Sequence, residues 1–341
     1  MSATRVLVLT GPTASGKTAF GLELAERAGL EIVSMDSMAV YRRMELGTAK
    51  PSASERARVP HWCLDLVEPN EVFDAARWCQ AAQAVLDDAR RRGVGLLFVG
   101  GTPLYLMAFF KGMVATPPAD APLRARLAAR HAAEPGALHA ELALRDPASA
   151  AWIHPHDEKR LVRALEVLEL TGRTASEQRE HFARRAWRVP CRILVFQRDR
   201  AELHERIKLR TRAMLAAGLL DETRAIRDSC GFSPTSALAI GYAECLRHLE
   251  RPFKDDEELR NRIRRATHGL VRRQITWLRR LAGVARIGPT TGVDEALAIA
   301  DAAETGTPAS QSEALDSLSE ALDSPSEALD SRSEATDRDP A

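Results

Sequence analysis

A glycine-bounded segment near the amino terminus has the composition of a phosphate-binding loop. It consists of Gly11, Pro12, Thr13, Ala14, Ser15, Gly16, Lys17 and Thr18, which fits the pattern G-x-x-x-x-G-K-[ST]. Glycines let backbone N–H groups approach a phosphate closely, and the start of a following helix adds partial positive charge. Lys17 supplies a full charge to the outer phosphate, and the Thr18 hydroxyl is a ligand for Mg²⁺. The pattern predicts a phosphate site without saying which phosphate compound binds there.

A carboxylate, Asp36, directly follows the second apolar run of the chain. In a parallel sheet this is the carboxyl end of a strand, where ligands gather. From spacing alone, a turn-forming aspartate and a catalytic one are equally expected. A kinase usually adds an acid at a neighbouring strand end to hold Mg²⁺, but the run at residues 94–99 ends in Gly100, Gly101 and Thr102. The loop therefore suits a diphosphate whose carbon–oxygen bond breaks, with the charge on the departing pyrophosphate stabilised by the loop.

These residues need a sheet that brings the ends of several strands together. Short apolar runs predict buried strands at residues 6–9, 31–35, 94–99 and 192–196, and helical patterns predict helices at residues 18–27, 74–92 and 104–110. Strands that alternate with helices of this length are typical of an α/β fold. We predict a P-loop NTPase-like parallel sheet core that is covered by helices on both faces.

The alternation of strands and helices is interrupted in the middle of the chain. Residues 113–187 contain proline breaks and helices rich in arginine and alanine, but no apolar strand run. We predict a core at residues 1–112 and 188–303, with a helical insertion at residues 113–187. Residues 304–341 form an acidic heptad repeat with too few apolar positions for a coiled coil, so we predict a disordered tail.

Composition and charge indicate a polyanionic partner and a reducing compartment. The formal net charge is +1, but residues 304–341 hold ten acidic and two basic residues, which leaves a net charge of +9 on residues 1–303. The five cysteines show no paired or metal-binding spacing, and the first apolar run is too short for a signal peptide or a membrane span. We expect a soluble, cytoplasmic monomer without a membrane partner, whose cysteines are reduced and buried.

Several segments follow one another in a distinctive order. They are the phosphate loop, Asp36 with Ser37, and residues 47–51, 61–65, 100–102, 154–167, 218–219, 241–242 and 273–279. This series resembles the tRNA dimethylallyltransferases, a P-loop family also known as tRNA isopentenyltransferases. The resemblance runs from about residue 6 to residue 287 and leaves only the tail uncovered. Residues 154–167 and 273–279 are its most specific parts.

The resemblance implies transfer of a dimethylallyl group from dimethylallyl diphosphate to the exocyclic amine of the adenosine 3′-adjacent to the anticodon in tRNA, with release of diphosphate. Asp36 resembles the general base that orients and deprotonates a poorly nucleophilic amine. Lys17 and Thr18 match the groups that hold diphosphate and Mg²⁺. Thr102 resembles a residue near the flipped adenine, and a helix-capping role is equally open. Arg210 resembles an arginine that reaches the diphosphate, and its alternative is a solvated arginine on a helix face.

The resemblance also implies contacts with an anticodon loop, whose unpaired bases leave their stack at low cost. The residues predicted to contact tRNA are Asp36, Ser37, Met38, Ala39, Thr102, Arg124, Lys159, Arg160, Leu161, Val162, Arg163, Gly241, Tyr242, Arg272, Arg273, Gln274, Trp277 and Arg279. The basic runs among them could equally be charged helix faces. We expect Ile275 and Leu278 in the core, whereas Gln274 and Trp277 are ambiguous. We expect His154 and His156 to form a turn and cap before the following helix rather than a metal site.

Two residues depart from the family pattern, and the resemblance implies that both lie in motifs that contact RNA. Ala39 stands where the family usually has glutamine, and Ala243 stands where it tends to have a basic residue. We therefore expect that base recognition could be altered while the chemistry remains.

Three other functions share parts of this pattern. A small-molecule P-loop kinase would use the same loop and carboxylate, but it would need neither the basic insertion nor the motif at residues 273–279. A prenyltransferase for free adenine nucleotides would need only the core. A non-catalytic RNA-binding module would have no use for an intact phosphate loop.

Overall fold

A computed structural model describes residues 4–112, 117–183 and 186–302. Six strands form one sheet in the order β3-β2-β4-β1-β5-β6, and every pair is parallel. The strands are β1 (Val6–Thr10), β2 (Leu30–Ser34), β3 (His61–Trp62), β4 (Gly95–Gly100), β5 (Arg192–Phe196) and β6 (Ala285–Ile287). The predicted parallel α/β sheet is confirmed. The edge strands β3 and β6 were not predicted, because two or three residues are too few to give an apolar pattern.

Fourteen α-helices lie in the described part of the chain. They are α1 (Lys17–Ala28), α2 (Ala53–Arg58), α3 (Ala75–Arg92), α4 (Pro103–Phe110), α5 (Ala121–Ala133), α6 (Ala137–Arg145), α7 (Pro147–Ala150), α8 (Glu158–Thr171), α9 (Ala175–Ala183), α10 (Arg200–Ala216), α11 (Leu219–Ser229), α12 (Tyr242–Glu250), α13 (Asp256–Arg279) and α14 (Val293–Ala302). Helix α13, with 24 residues, is the longest of them. None of the described helices is both long and apolar enough to cross a membrane.

The core strands are buried on both faces, and their sequences are therefore continuous apolar runs. All five residues of β1 and all five of β2 are buried. On one face of the sheet, Trp78 stacks on Tyr105 with 4.5 Å between ring centroids, and Phe98 contacts Phe109 and Phe110. Each of these buried rings contributes on the order of 2 kcal/mol of transfer free energy. Helices α1 and α14 cover the opposite face.

The predicted insertion contains α5 to α9 and no strand among its described residues. Its helices bury an apolar cluster of their own, which includes Leu127, Leu138, Leu142, Leu161 and Leu165. A separate apolar cluster is what a segment needs in order to pack as a unit beside the sheet. The predicted domain boundaries stay a prediction, and the predicted tail, residues 304–341, lies outside the described residues.

The five cysteines are unpaired thiols. Cys63, Cys191 and Cys245 are buried, as expected for small apolar residues, whereas Cys79 and Cys230 are only half-buried. Burial raises the pKa of each of the three buried thiols to about 12, so these cysteines stay neutral at physiological pH.

Candidate active site

The candidate site lies where the neighbouring strands β1, β2 and β4 end. The loop of residues 11–18 follows β1, Asp36 follows β2, and Thr102 follows β4. The ends of β2 and β4 come unusually close, because a Cβ atom at Gly100 would lie 2.0 Å from the Met35 carbonyl oxygen. Any side chain at residue 100 would therefore push Asp36 and Thr102 apart.

The phosphate loop passes directly into helix α1, which begins at Lys17. Gly16 has a φ of 101°, in the left-handed region that glycine tolerates. Ala14 has a φ of 64°, which is unfavourable for a residue with a side chain. This geometry directs the first turn of α1 toward the space beside Asp36, as a phosphate-binding loop requires.

Lys17, Asp36 and Arg210 place three charges around one space. Desolvation lowers the pKa of Lys17 to about 8, the Asp36 carboxylate raises it, and the Arg210 guanidinium lowers it further. Desolvation also lowers the pKa of Arg210, again against the attraction of Asp36. Two cations and one anion leave a net positive charge, and this favours an anionic ligand.

Backbone hydrogen bonds fix the orientation of Asp36. Its Oδ1 accepts hydrogen bonds from the backbone N–H groups of Met38 at 2.8 Å and Ala39 at 3.3 Å. An aspartate that accepts from the residue two positions later forms a turn. The turn-forming and catalytic alternatives are therefore compatible, because the turn holds the carboxylate at the edge of the sheet.

Thr102 does not cap helix α4 with its side chain, although it occupies the N-cap position. Its Oγ1 instead accepts a hydrogen bond from the Ser37 backbone N–H at 3.2 Å. The predicted capping role is thus wrong for the hydroxyl. The hydroxyl oxygen is instead used by the Asp36–Ser37 turn, so Thr102 connects the end of β4 to the turn that carries the carboxylate.

Two cavities meet at Asp36 and Arg210. The phosphate cavity is lined by the loop, including Lys17 and Thr18, and also by Lys50, His61 and Arg206. The apolar cavity is lined by Ile207, Met214, Ile240, Ile263, Leu270 and Trp277, together with Thr102. Asp36 and Arg210 line both cavities. This arrangement can hold a diphosphate on one side and an apolar or planar group on the other, with a carboxylate between them.

Comparison with known proteins places the chain in a family. The sequence model described as IPP transferase matches residues 39–281. The chain belongs to this family. The match begins after Asp36, so it includes neither the phosphate loop nor the carboxylate. The tRNA dimethylallyltransferase of Anaeromyxobacter dehalogenans (strain 2CP-C) is 48% identical to this chain over 287 residues, which are 84% of this chain and 95% of the relative.

Solved structures agree with the family assignment. The full-length tRNA isopentenylpyrophosphate transferase from Bacillus halodurans is 31% identical, with a TM-score of 0.62 over 94% of this chain and 98% of the other. A eukaryotic dimethylallyltransferase acting on tRNA shares the fold, with 24% identity and a TM-score of 0.71 over 87% of this chain and 79% of the other. The resemblance read from the sequence is therefore confirmed.

The residues predicted to contact tRNA divide into exposed, lining and buried groups. Lys159, Arg272 and Arg279 are exposed, and Arg160 and Arg273 are half-buried. Ser37, Met38 and Gly241 line the apolar cavity beside Asp36 and Thr102. Exposed arginine and lysine side chains on α8 and α13 are compatible with phosphate contacts. For these residues, contact with RNA stays a prediction.

Other members of that predicted set are buried or hold intramolecular bonds. Leu161 and Val162 belong to the apolar cluster of the insertion, and Ala39 is 4% exposed. Arg124 and Arg163 both form ion pairs with Glu166, whose side chain is fully buried. Ala243, the second departure from the family pattern, is also buried. These side chains serve packing or internal pairing.

Tyr242 supports the loop that lines the apolar cavity. Its hydroxyl donates to Glu222 Oε1 at 2.5 Å and accepts from the Gly47 backbone N–H at 3.1 Å. A Cβ atom at Gly47 would lie 2.2 Å from the tyrosine ring, so glycine is needed for this contact. Burial raises the pKa of Tyr242, and the Glu222 carboxylate raises it further. Because Tyr242 is fully buried, its side chain supports this loop, and direct contact with RNA stays a prediction.

Residues 273–279 combine surface and core side chains on one helix. Gln274 is 6% exposed and Trp277 is 1% exposed. Leu278 is buried as expected, whereas Ile275 is only partly buried against a small apolar cluster. Trp277 lines the apolar cavity, and its indole N–H has no partner among the described residues. The buried face of α13, which carries Gln274 and Trp277, therefore lines the apolar cavity.

His154 and His156 lie in the expected turn. The His156 backbone N–H donates to His154 Nδ1 at 3.2 Å, and Asp157, not a histidine, caps α8. Within residues 4–112, 117–183 and 186–302, no group of three or more histidine, cysteine, aspartate or glutamate side chains could hold a metal ion.

Sequence reasoning assigned no role to Lys50 or Arg206. Lys50 Nζ donates to the Tyr41 carbonyl at 2.6 Å and to Asp65 at 2.6 Å. Arg206 Nε donates to the Ala14 carbonyl at 2.7 Å. Lys50 and Asp65 lie in two motifs of the family resemblance, residues 47–51 and 61–65. Their presence in these motifs is the feature of the sequence that could have predicted their ion pair. No local sequence pattern predicts the contact of Arg206 with Ala14, because the two residues are 192 positions apart.

Proposed function

We propose that this chain transfers a dimethylallyl group from dimethylallyl diphosphate to the exocyclic amine of the adenosine 3′-adjacent to the anticodon in tRNA, with release of diphosphate. The observation that carries the proposal is the position of Asp36 and Arg210, which line both the phosphate cavity and the apolar cavity. The names of the relatives, tRNA dimethylallyltransferases at 46–48% identity, support the same reaction.

In the proposed reaction the phosphate loop stabilises the leaving group. The carbon–oxygen bond of the prenyl diphosphate breaks, and negative charge grows on the departing pyrophosphate. Lys17 and Arg210 are held near that charge in a desolvated site, where a fixed cation is worth more than it is in water. The apolar lining of the other cavity, including Ile207 and Met214, receives the prenyl group and excludes water from its electrophilic carbon.

Asp36 is the proposed general base. The exocyclic amine of adenine is a poor nucleophile because its lone pair is delocalised into the ring. As the carbon–nitrogen bond forms, the amine becomes acidic and its proton moves to the Asp36 carboxylate. The turn bonds from Met38 and Ala39 hold the carboxylate in place, and they use only Oδ1. Thr102 anchors the same turn through Ser37, which supports its role as a residue that positions the acceptor.

Magnesium is the proposed cofactor, and the residues present fit it. Thr18 is exposed at the start of α1 and lines the phosphate cavity beside Lys17. Its hydroxyl is a hard oxygen ligand of the kind that Mg²⁺ prefers, and the remaining ligands would be diphosphate oxygens and water. When bound, the ion supplies positive charge to the diphosphate.

Transfer of a labelled prenyl group tests the proposal directly. Radiolabelled dimethylallyl diphosphate is incubated with unmodified tRNA, with AMP, and with ATP plus candidate small acceptors. We expect label in tRNA alone, at the adenosine next to the anticodon. Label in AMP alone would indicate a prenyltransferase for free nucleotides. Transfer of the γ-phosphoryl group of ATP to a small acceptor would indicate a kinase. Either result would refute the proposal.

A further inference from the structure

We propose that Gln274, Arg206 and Arg198 are positioning residues that hold the phosphate loop in shape through hydrogen bonds to its backbone. The inference deepens the proposed function, since it assumes that the ligand of the loop is a diphosphate. It also assigns Gln274 a role other than the RNA contact that the family resemblance implies.

The backbone of each of three consecutive loop residues is bound by a long side chain from a distant part of the chain. The Thr13 backbone N–H donates to Gln274 Oε1 at 2.8 Å. Arg206 Nε donates to the Ala14 carbonyl at 2.7 Å, and Arg198 Nε donates to the Ser15 carbonyl at 2.6 Å. The side chains come from α13, from α10 and from the residues just before α10.

The two hydrogen bonds from the arginines hold the part of the loop with the least favourable backbone conformation. Ala14 has a left-handed backbone conformation, which a residue with a Cβ atom adopts only when its surroundings impose it. The Ala14 and Ser15 carbonyl oxygens, being partly negative, would repel a diphosphate if they turned toward it. Charge-assisted hydrogen bonds to guanidinium groups keep both carbonyls directed at the arginines instead.

Gln274 connects the loop to the neighbouring strand. Its Nε2 donates to the Gly101 carbonyl at 2.7 Å, while its Oε1 accepts from Thr13. A Cβ atom at Gly101 would lie 2.6 Å from Gln274 Nε2 and 3.0 Å from the Gly11 carbonyl oxygen. Only glycine at residue 101 therefore lets the amide reach both partners. The bridge fixes the distance between the end of β1, which carries the loop, and the end of β4, which carries Thr102.

Burial and bonding together argue against an RNA contact for this glutamine. Gln274 is 6% exposed, and both ends of its amide are used. Contact with a base would require breaking two partly buried hydrogen bonds and leaving the Thr13 N–H and the Gly101 carbonyl unpaired. Arg272 and Arg279, on the same helix, have exposed side chains. Burial therefore does not prevent them from contacting RNA.

Substitution of Gln274 by methionine tests the bridge without changing any charge. We expect Gln274→Met to weaken binding of inorganic pyrophosphate with Mg²⁺ about tenfold by calorimetry, and to leave affinity for an unmodified anticodon stem-loop within twofold. Gln80→Met, an exposed glutamine on α3, should change neither affinity. Arg272→Ala should give the opposite pattern, with weaker stem-loop binding and unchanged pyrophosphate binding.

Substitution of Arg206 tests the loop in a variant whose folding is not at risk, because this side chain is exposed. Arg206→Gln should weaken pyrophosphate binding about fivefold, and Arg206→Lys should recover most of the loss, since lysine also donates to a carbonyl. Arg200→Gln removes the same charge from an exposed residue of α10 and should change the affinity less than twofold. Equal losses in Arg206→Gln and Arg200→Gln would overturn the assignment of Arg206, because net charge would then explain both.

Two results would overturn the role of Gln274. One is unchanged pyrophosphate affinity in a Gln274→Met variant that melts as the wild type does. The other is a large loss of stem-loop affinity with pyrophosphate binding intact, which would make Gln274 an RNA contact. These affinities need no turnover, so a failure of the proposed prenyl transfer would be seen separately, as wild-type protein that binds pyrophosphate but labels no tRNA.

Discussion

The phosphate cavity and the helical insertion each surround a carboxylate with two basic side chains, but they use these charges differently. In the phosphate cavity, Asp36 Oδ1 is bound by backbone amides, and Lys17 and Arg210 act on it through their charge. In the insertion, Glu166 accepts direct hydrogen bonds from Arg124 and Arg163. Basic side chains that form no direct ion pair with the carboxylate remain available to a ligand. Basic side chains that are paired with it stabilise the fold.

The comparison distinguishes basic residues that look alike in the sequence. Arg124 and Arg163 were predicted to contact tRNA, and Arg210 to reach a diphosphate. Burial separates the two cases, because Glu166 is fully buried and its charge requires partners. Around Asp36, the basic groups of Lys17 and Arg210 are desolvated. This desolvation lowers the pKa of Lys17 to about 8. An anionic ligand would restore the balance of charge there.

Removing the carboxylate of the phosphate cavity should have the largest effect. We expect Asp36→Asn to reduce single-turnover prenyl transfer by a factor on the order of 10² or more, because an amide cannot accept the proton of the amine. Binding of tRNA and pyrophosphate should persist, since an asparagine side-chain oxygen still accepts the turn bonds. Asp87→Asn, on α3, is the matched control. Near-normal turnover in Asp36→Asn would mean that another group is the base.

Removing the carboxylate of the insertion should affect stability instead of chemistry. We expect Glu166→Gln to lower the free energy of unfolding by about 2 kcal/mol, less than for a fully buried pair because both arginines are partly exposed. Urea denaturation measures the change. Glu169→Gln, which disrupts the exposed pair with Arg126, should cost less than about 0.5 kcal/mol. Equal costs would show that burial does not distinguish the two pairs.

The same carboxylate makes a pH-dependent contribution to stability. Burial opposes ionisation of Glu166, but hydrogen bonds from Arg124 and Arg163 outweigh it and lower the pKa to about 2. Because the folded pKa lies below the unfolded value, the contribution is complete above about pH 5 and is lost as the pH falls toward 2. The difference in stability between wild type and Glu166→Gln should therefore shrink over that interval.

The sequence predicts the phosphate cavity better than the insertion, for a physical reason. The loop, its glycines and Lys17 are contiguous, so their function is encoded in local spacing. The role of Gln274 depends on contact with Thr13, 261 residues away, and no local pattern records such a contact. In the insertion, burial of Glu166 decides whether a neighbouring arginine faces RNA or an internal partner. The short strands β3 and β6 were missed because pairing with a neighbour, not composition, defines them.

Protonation of Lys17 should control affinity for the diphosphate. Since the pKa of Lys17 is about 8, most of its charge is present at pH 7 and about nine-tenths is lost at pH 9. We expect the affinity for a thio-linked, unreactive prenyl diphosphate analogue to fall by up to about tenfold between these values, relative to Lys17→Arg. The arginine variant stays charged over this range and corrects for titration of the ligand. Parallel pH profiles for the two proteins would contradict a titrating Lys17.

Exposed basic residues of the insertion should give the smallest effect, visible mainly in its salt dependence. We expect Lys159→Ala to weaken binding of the anticodon stem-loop two- to threefold and to reduce the slope of log affinity against log salt concentration by about one phosphate contact. The reason is that Lys159 is exposed on α8, where a solvated ammonium can meet a phosphate by releasing a counterion. Arg126→Ala removes a cation from the same insertion that is already paired with Glu169 and should leave the slope unchanged. If both variants change the slope equally, pairing does not determine which cations meet RNA, and the distinction between paired and available charge would hold for the phosphate cavity alone.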